Sequence, residues 1–224
     1  MRAIIGAVVM SMALTPTTAS AADISQNAAE RVKEAAMTLT EIHAVPDKDI
    51  PQELWDKAEC VIVIPNLKKA AFIVGGEYGK GLMSCRHNGA WGAPVFMEMQ
   101  KGSWGLQIGA ESIDLVLLVM NPNGVNKLLK NKVSLGADAS VAGGPVGRSA
   151  HAATDAQLKS EILSWSRAQG LFAGIDISGG VLKPDTDDND ALYGKTVSAE
   201  NVVLGGKVKA PAATQPLMEA LKRQ

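Results

Sequence analysis

The polar and apolar positions of this chain change period along its length. Residues 24–43 place Ile24, Ala28, Val32, Ala35, Ala36, Leu39 and Ile42 at three-and-four spacing, which predicts an amphipathic helix that Asp23 or Ser25 can cap. Pro51, favoured at a first helical position, opens a second short helix through Leu54, Trp55 and Ala58. From Cys60 to about Met120 the period shortens, and the runs CVIVI, AFIVGG, GLMSC, PVFMEM, SWGLQIG and IDLVLLVM read as strands. Asn121 to Gly124 is turn chemistry, followed by a short helix through Val125, Leu128 and Leu129. Strands resume near Val133 and include EILSWSRA and LFAGIDISGGVL. A terminal helix follows over 211–223, with Leu217, Ala220 and Leu221 inward.

Nine glycines fall between Gly75 and Gly109. Glycines inside strand patterns mark bulges, bends or close packing. The expected fold class is therefore α+β: a strongly twisted, glycine-kinked, mostly antiparallel sheet or partly closed barrel, covered by several helices. No composition break divides the chain and no repeat of 20–50 residues is visible, so residues 22–224 are expected to form one domain.

The first residues read as an address. Met1-Arg2 is a short positive start, residues 3–14 are an apolar run too short to span a bilayer, and Ala19-Ser20-Ala21 fits a small-x-small cleavage pattern. Residues 1–21 are expected to be a signal peptide, placing the product in the periplasm or outside the cell. No cysteine follows the run, so a lipoprotein anchor is not expected. In an oxidising compartment Cys60 and Cys85 can form a disulfide; the alternative is two buried thiols behaving as small hydrophobes.

Charge and composition remove some functions. The 22 basic and 23 acidic side chains leave a net charge of −1, so there is no global field to gather nucleic acid or anionic lipid. With 4% aromatic residues, single-stranded nucleic-acid binding is not expected.

Catalytic patterns are scarce. His43, His87 and His151 form no HExxH or HxxxH pair, and Gly102 to Gly105 lacks the spacing of a nucleophile elbow. Gly75 to Gly81 imitates a phosphate loop but is followed by no Ser or Thr and by a strand-like segment, so a glycine-kinked hairpin is expected there. No enzyme activity and no cofactor are expected. Asp185, Asp187 and Asn189 alternate like the first ligands of a calcium loop, but Asp190 stands in the glycine position and Thr196 in that of the bidentate acid. A solvated Asx turn capping a helix through Ala191 and Tyr193 is the favoured reading, and calcium the weaker one.

Basic side chains form modest local groups: Lys68 and Lys69 after a Pro-Asn turn, Lys127, Lys130 and Lys132 on the short helix, and Lys207 and Lys209 near the end. Each can be an ordinary solubilising lysine, and each adds attraction to an anionic surface only where several meet in space. Asp114, inside an apolar strand, must be hydrogen-bonded if buried, to backbone amides or a neighbouring Arg.

The runs VIVIPNLKKAAFIVGGEYGKGL, NGAWGAPVF, GSWGLQIGAESIDLVLLVMN, LGADASVAGGPVGR, SWSRAQGLFAGIDISGGVL and DDNDALYG together resemble the SYLF-domain family over about residues 30–205. The resemblance implies binding rather than catalysis: eukaryotic members bind phosphoinositide-containing membranes and fungal members bind actin filaments, while bacterial members are described as lipid-binding. Actin is not an expected partner for an exported chain. The first helix departs from the membrane pattern, because Glu30, Glu34 and Glu41, with Asp23 just before them, outnumber Arg31 and Lys33. Lipid binding would then rest on insertion of its apolar face, or on Lys68, Lys69, Lys80, Arg86, Lys127, Lys130 and Lys132. Arg148, in GGPVGR, could present itself to a phosphate, although that run also serves a tight turn. The leading expectation is a non-catalytic binder of phospholipid head groups or membrane surface in the cell envelope; the alternative is a structural or stress-related envelope protein that binds a protein partner.

Overall fold

The structure is a computed structural model that describes residues 24–42, 50–71, 74–104, 109–130, 132–146, 159–168 and 171–223. Helix α1 (Gln26–Ile42) and helix α2 (Gln52–Lys57) precede the sheet. Strands β1 (Cys60–Ala71), β2 (Val74–His87), β3 (Ala90–Trp91), β4 (Val95–Trp104) and β5 (Gly109–Val119) follow as antiparallel neighbours of one another. Helix α3 (Pro122–Leu128), strands β6 (Val133–Ser134), β7 (Val141–Gly143), β8 (Ile162–Ala168), β9 (Leu171–Gly174) and β10 (Val181–Pro184), and helices α4 (Thr186–Tyr193), α5 (Ala199–Gly205) and α6 (Gln215–Leu221) complete it. The sheet order is β6-β10-β4-β2-β1-β5-β8-β7, with β3 beside β2 and β9 beside β8. Only β7 with β8 is parallel among these pairs, so the α+β expectation holds as a mixed sheet curled into a half-barrel.

The sheet is buried on both faces, which is why its strands read as near-continuous apolar runs. Cys60, Ile62, Ile64 and Leu67 point to one core together with Val125 and Leu128 of α3 and Val202 and Val203 of α5. Val61, Val63, Leu82, Phe96, Val116 and Leu118 point to the other, under Val32, Ala35 and Leu39 of α1, Trp55 of α2 and Leu217 and Leu221 of α6. The apolar face of α1, including Val32, Ala35, Leu39 and Ile42, has no exposure; it is the floor of a core and does not present itself for insertion into a bilayer.

One expectation about a turn is corrected. Pro65 and Asn66 do not end a strand; they form a bulge within β1, where the register shifts against both β2 and β5. Asn66 adopts a left-handed φ of 52° and its amide donates to Asp114 Oδ1 at 3.0 Å, while Arg167 donates to Asp114 Oδ2 at 2.8 Å. Asp114 thus meets both partners expected of it. A bulge also lets a proline occupy a central strand, since its missing N–H falls where the ladder is already interrupted.

The GGEYGKGL run lies in the first part of β2, within the antiparallel β1–β2 pair, in keeping with the glycine-kinked hairpin expected there. A Cβ on Gly81 would lie 2.0 Å from the Val63 carbonyl oxygen, and one on Gly79 would lie 2.7 Å from Ile64 and Leu67 side-chain atoms. Those glycines allow β2 to cross the bulged part of β1 closely. In GGPV the same device admits Trp165, whose ring would be 2.0 Å from a Gly144 Cβ and whose indole donates to the Pro145 carbonyl at 2.9 Å. Cys60 and Cys85, opposite each other on β1 and β2, are joined by a disulfide.

Candidate functional site

Lys68 on β1 and Tyr78 on β2 are directly paired across the strands. The two-residue period puts Lys80 and Leu82 on the face that Tyr78 occupies, and Leu82 lies beneath α1. Beyond the apolar part of α1 this row leaves a cleft of about 330 Å³, lined by Asn27, Glu30, Arg31 and Glu34 from the helix and by Pro65, Asn66, Lys68, Tyr78, Gly79 and Lys80 from the sheet. Its size sits near the lower end of the ~300–1,000 Å³ of small-ligand sites.

One wall is an ion network. Lys80 Nζ lies 2.5 Å from Asp185 Oδ2 and 3.5 Å from Asp188 Oδ2, and Arg31 reaches the same Asp188 oxygen at 2.7 Å while resting 5.6 Å over the Phe96 ring. The carboxylates come from α4, whose N-cap is Asp185. Burial lowers the affinity of Lys80 for its proton, but the hydrogen bond and charge of Asp185, with Asp188, outweigh it, so its pKa stands above the ordinary lysine value. Burial pushes the Asp185 carboxyl up. For Asp188 burial acts in the same sense, and its hydrogen bonds and the charges of Arg31 and Lys80 reverse it, holding that carboxyl below its ordinary value. The outer wall is open: Tyr78 is 45% exposed, and Lys68 has no ion-pair partner among the described residues.

The other basic residues do not join this cleft. Lys69 faces away and pairs with Glu77 at 3.8 Å. Arg86 stacks 4.1 Å from the Trp91 ring centroid and donates to the Gly89 and Trp55 carbonyls at 3.2 and 3.3 Å. Lys127 is held by both oxygens of Glu161 at 2.8 Å. Glu161 also accepts from the Ser140 amide at 2.8 Å and from Asn123. Burial works against its charge, yet Lys127, Ser140 and Asn123 together hold its pKa below the ordinary value. Lys130 and Lys132 are exposed but lie beyond the end of α3 at Leu128 rather than on it, and α3 packs on the opposite face of the sheet from α1. Arg148 lies outside the described residues, as do His43, His151 and the residues read as a signal peptide.

The acidic run is built into the fold by its packing. Asn189 is buried, accepting from the Phe96 amide at 2.8 Å and donating to the Phe96 carbonyl at 2.8 Å. Asp185 caps α4 through the Asp188 amide and meets Lys80, whereas Asp187 is exposed. No group of three or more His, Cys, Asp or Glu suited to a metal occurs among the described residues. The turn that caps the helix is as expected in kind, but it is buried rather than solvated.

Sequence reasoning missed Arg31, Asp188, Glu30, Glu34 and Tyr78 as one constellation. The signal available was Tyr78, Lys80 and Leu82 alternating onto the apolar row of β2; nothing local announced that α4 would return to meet it.

A second groove of about 440 Å³ runs between α1 and α6, lined by Lys33, Ala36, Met37, Thr40, Glu41, Pro216, Glu219, Ala220 and Arg223, with Met37 54% exposed. No helix among the described residues is long and apolar enough to cross a membrane.

Residues 100–224 match the family model Ysc84, described as Las17-binding protein actin regulator. Protein YSC84 of Saccharomyces cerevisiae is 32% identical over 180 residues, which cover 79% of this chain and 38% of that protein. LAS seventeen-binding protein 3 of the same yeast is 31% identical over 180 residues, 79% of this chain and 39% of that protein. SH3 domain-containing YSC84-like protein 1 of Mus musculus is 30% identical over 205 residues, 88% of this chain and 60% of that protein. The matched part is thus about two-fifths of the yeast relatives and three-fifths of the mouse one. With identity of this level across most of its length and a family model matched over its C-terminal half, the chain belongs to the Ysc84 family, that of the SYLF-domain proteins.

Proposed function

We propose that this protein is a non-catalytic binder of phospholipid surfaces and that its contact point is the cleft between α1 and the β1–β2 strands. The observation that carries the reading is the pairing of Lys68 with Tyr78, a cation with no ion-pair partner among the described residues beside an exposed ring with a polar tip, at the mouth of a cavity backed by Lys80 and Arg31. An amphipathic ring next to a lysine suits a headgroup layer, where the apolar body and wet tip lie at different depths. Export to the periplasm or beyond belongs to the same proposal and is supported by the Cys60–Cys85 disulfide, which an oxidising compartment preserves. Lys127 contributes no attraction to a surface here, since Glu161 neutralises it.

Co-sedimentation of the protein with neutral and anionic vesicles at low and high salt tests this. Pelleting with anionic vesicles that rising salt weakens, and that Lys68→Ala reduces more than Lys127→Ala, is the expected outcome; no pelleting with any vesicle overturns it. A protein partner is the second reading, favoured by the α1–α6 groove, whose exposed Met37 lies among Lys33, Glu41, Glu219 and Arg223. Relatives named for Las17 binding lend it support. Met37→Glu would abolish that contact and leave vesicle pelleting unchanged.

A further inference from the structure

The charges around the α1 cleft narrow the class of ligand. Arg31 and Lys80 are already matched by Asp188 and Asp185, so Lys68 is the lining cation that remains for a ligand. Facing it from the helix are Glu30 and Glu34, one turn apart and therefore on one stripe of α1. Among the described residues Glu30 pairs with Lys33 alone, at 3.7 Å with both side chains well exposed, a pair too weak to occupy the carboxylate. A plain anion seated on Lys68 would lie against two negative groups. A ligand that is anionic at one end and cationic at the other matches both walls.

We infer that the cleft takes a phosphate ester bearing a primary ammonium, the chemistry of phosphoethanolamine, with its phosphate on Lys68 and its ammonium on Glu30 and Glu34. A primary ammonium offers three N–H donors to two carboxylates. A quaternary one offers none and favours a cage of aromatic rings, where the described residues lining this cleft include Tyr78 alone among aromatics. The inference rests on the lipid-surface reading for its membrane form, and the same chemistry occurs on a soluble ester.

The test has a soluble arm and a vesicle arm, both on the full chain. In an NMR titration, glycerophosphoethanolamine is expected to shift the resonances of Tyr78, Lys80 and Glu34 at about fivefold lower concentration than glycerophosphocholine or glycerol phosphate. Glu30→Gln with Glu34→Gln, both on the surface of α1, removes that preference, and Lys68→Ala weakens all three ligands. Equal responses to the three, tightest response to glycerol phosphate, or indifference to these variants overturns the inference. In the vesicle arm, phosphatidylethanolamine replaces phosphatidylcholine at a constant fraction of phosphatidylglycerol. Pelleting that increases with ethanolamine identifies the lipid as the source. Pelleting without any such increase, together with equal soluble responses, removes the ethanolamine inference and leaves the lipid-surface reading standing. A soluble response with no pelleting identifies a free ester and overturns the lipid-surface reading alone.

Discussion

Lys127 and Lys80 both meet carboxylates from distant parts of the chain, and the two sites differ in what surrounds the ion pair. At Lys127 the acceptor Glu161 is enclosed: Asn123 and Lys127 of α3 and the backbone and hydroxyl of Ser140 all converge on it, and its side chain is 11% exposed. The result ties α3 to the segments before β7 and β8. At Lys80 the ion network forms one wall of a cavity whose other walls carry Lys68, Tyr78, Glu30 and Glu34. A cluster of charges is therefore a fastener where every acceptor is satisfied internally, and a candidate site where the network leaves polar groups facing open space.

The sharpest way to break the comparison is Glu161→Ala. It leaves Lys127 and the Ser140 amide without their acceptor and is expected to lower stability by about 3 kcal/mol in urea unfolding. A loss below about 0.5 kcal/mol would mean that the knot is not a fastener. The same residue sets a pH dependence. Its folded pKa is below its ordinary value near 4.5, so the stabilisation is complete above that value and is lost as pH falls through the lower, folded one. Glu161→Gln should flatten this part of the acid limb.

Asp188→Asn comes next. It removes the charge shared by Arg31 and Lys80 and is expected to cost about 1 kcal/mol, while the cation it leaves less matched should strengthen binding to anionic vesicles about threefold. Unchanged pelleting would show that Lys80 does not face the bound surface. Lys68→Ala has the smallest effect on stability, within about 0.5 kcal/mol, yet should weaken vesicle binding about fivefold. Lys130→Ala, on the opposite side of the sheet, should change neither.

Much of the architecture was legible from spacing. The three-and-four rhythm before Ile42 became α1 with Val32, Ala35 and Leu39 buried, and Asn121 caps α3 through the Gly124 amide, as turn chemistry there suggested. What failed was the turn inferred at Pro65-Asn66. Pro65-Asn66 and Gly75 to Gly81 carry residues that usually end strands, but here the first forms a bulge anchored by Asp114 and the second permits close passage of β2 over β1. Helix α5 escaped notice because AENVVLG is short and offers only two turns of apolar spacing after its Ser198 cap. The cleft was half visible: Lys68 and Lys80 were singled out, without Tyr78 between them or the helix above.

The pattern of side chains along the chain was enough to determine most of the helices and strands, that the sheet would be glycine-kinked, and that Asp114 needed partners, because these follow from periodicity and from the desolvation of a single group. Which lysines remain free was decided only by the tertiary structure. Glu161 is 34 residues from Lys127 and Asp188 is 157 from Arg31, and a hydrogen-bonded ion pair acts over a few ångströms of space whatever the distance along the chain. The fold brings an acid into contact with Lys80 and with Lys127 and, among the described residues, brings none within ion-pairing distance of Lys68, and that difference makes one lysine a candidate contact and the other two parts of the scaffold.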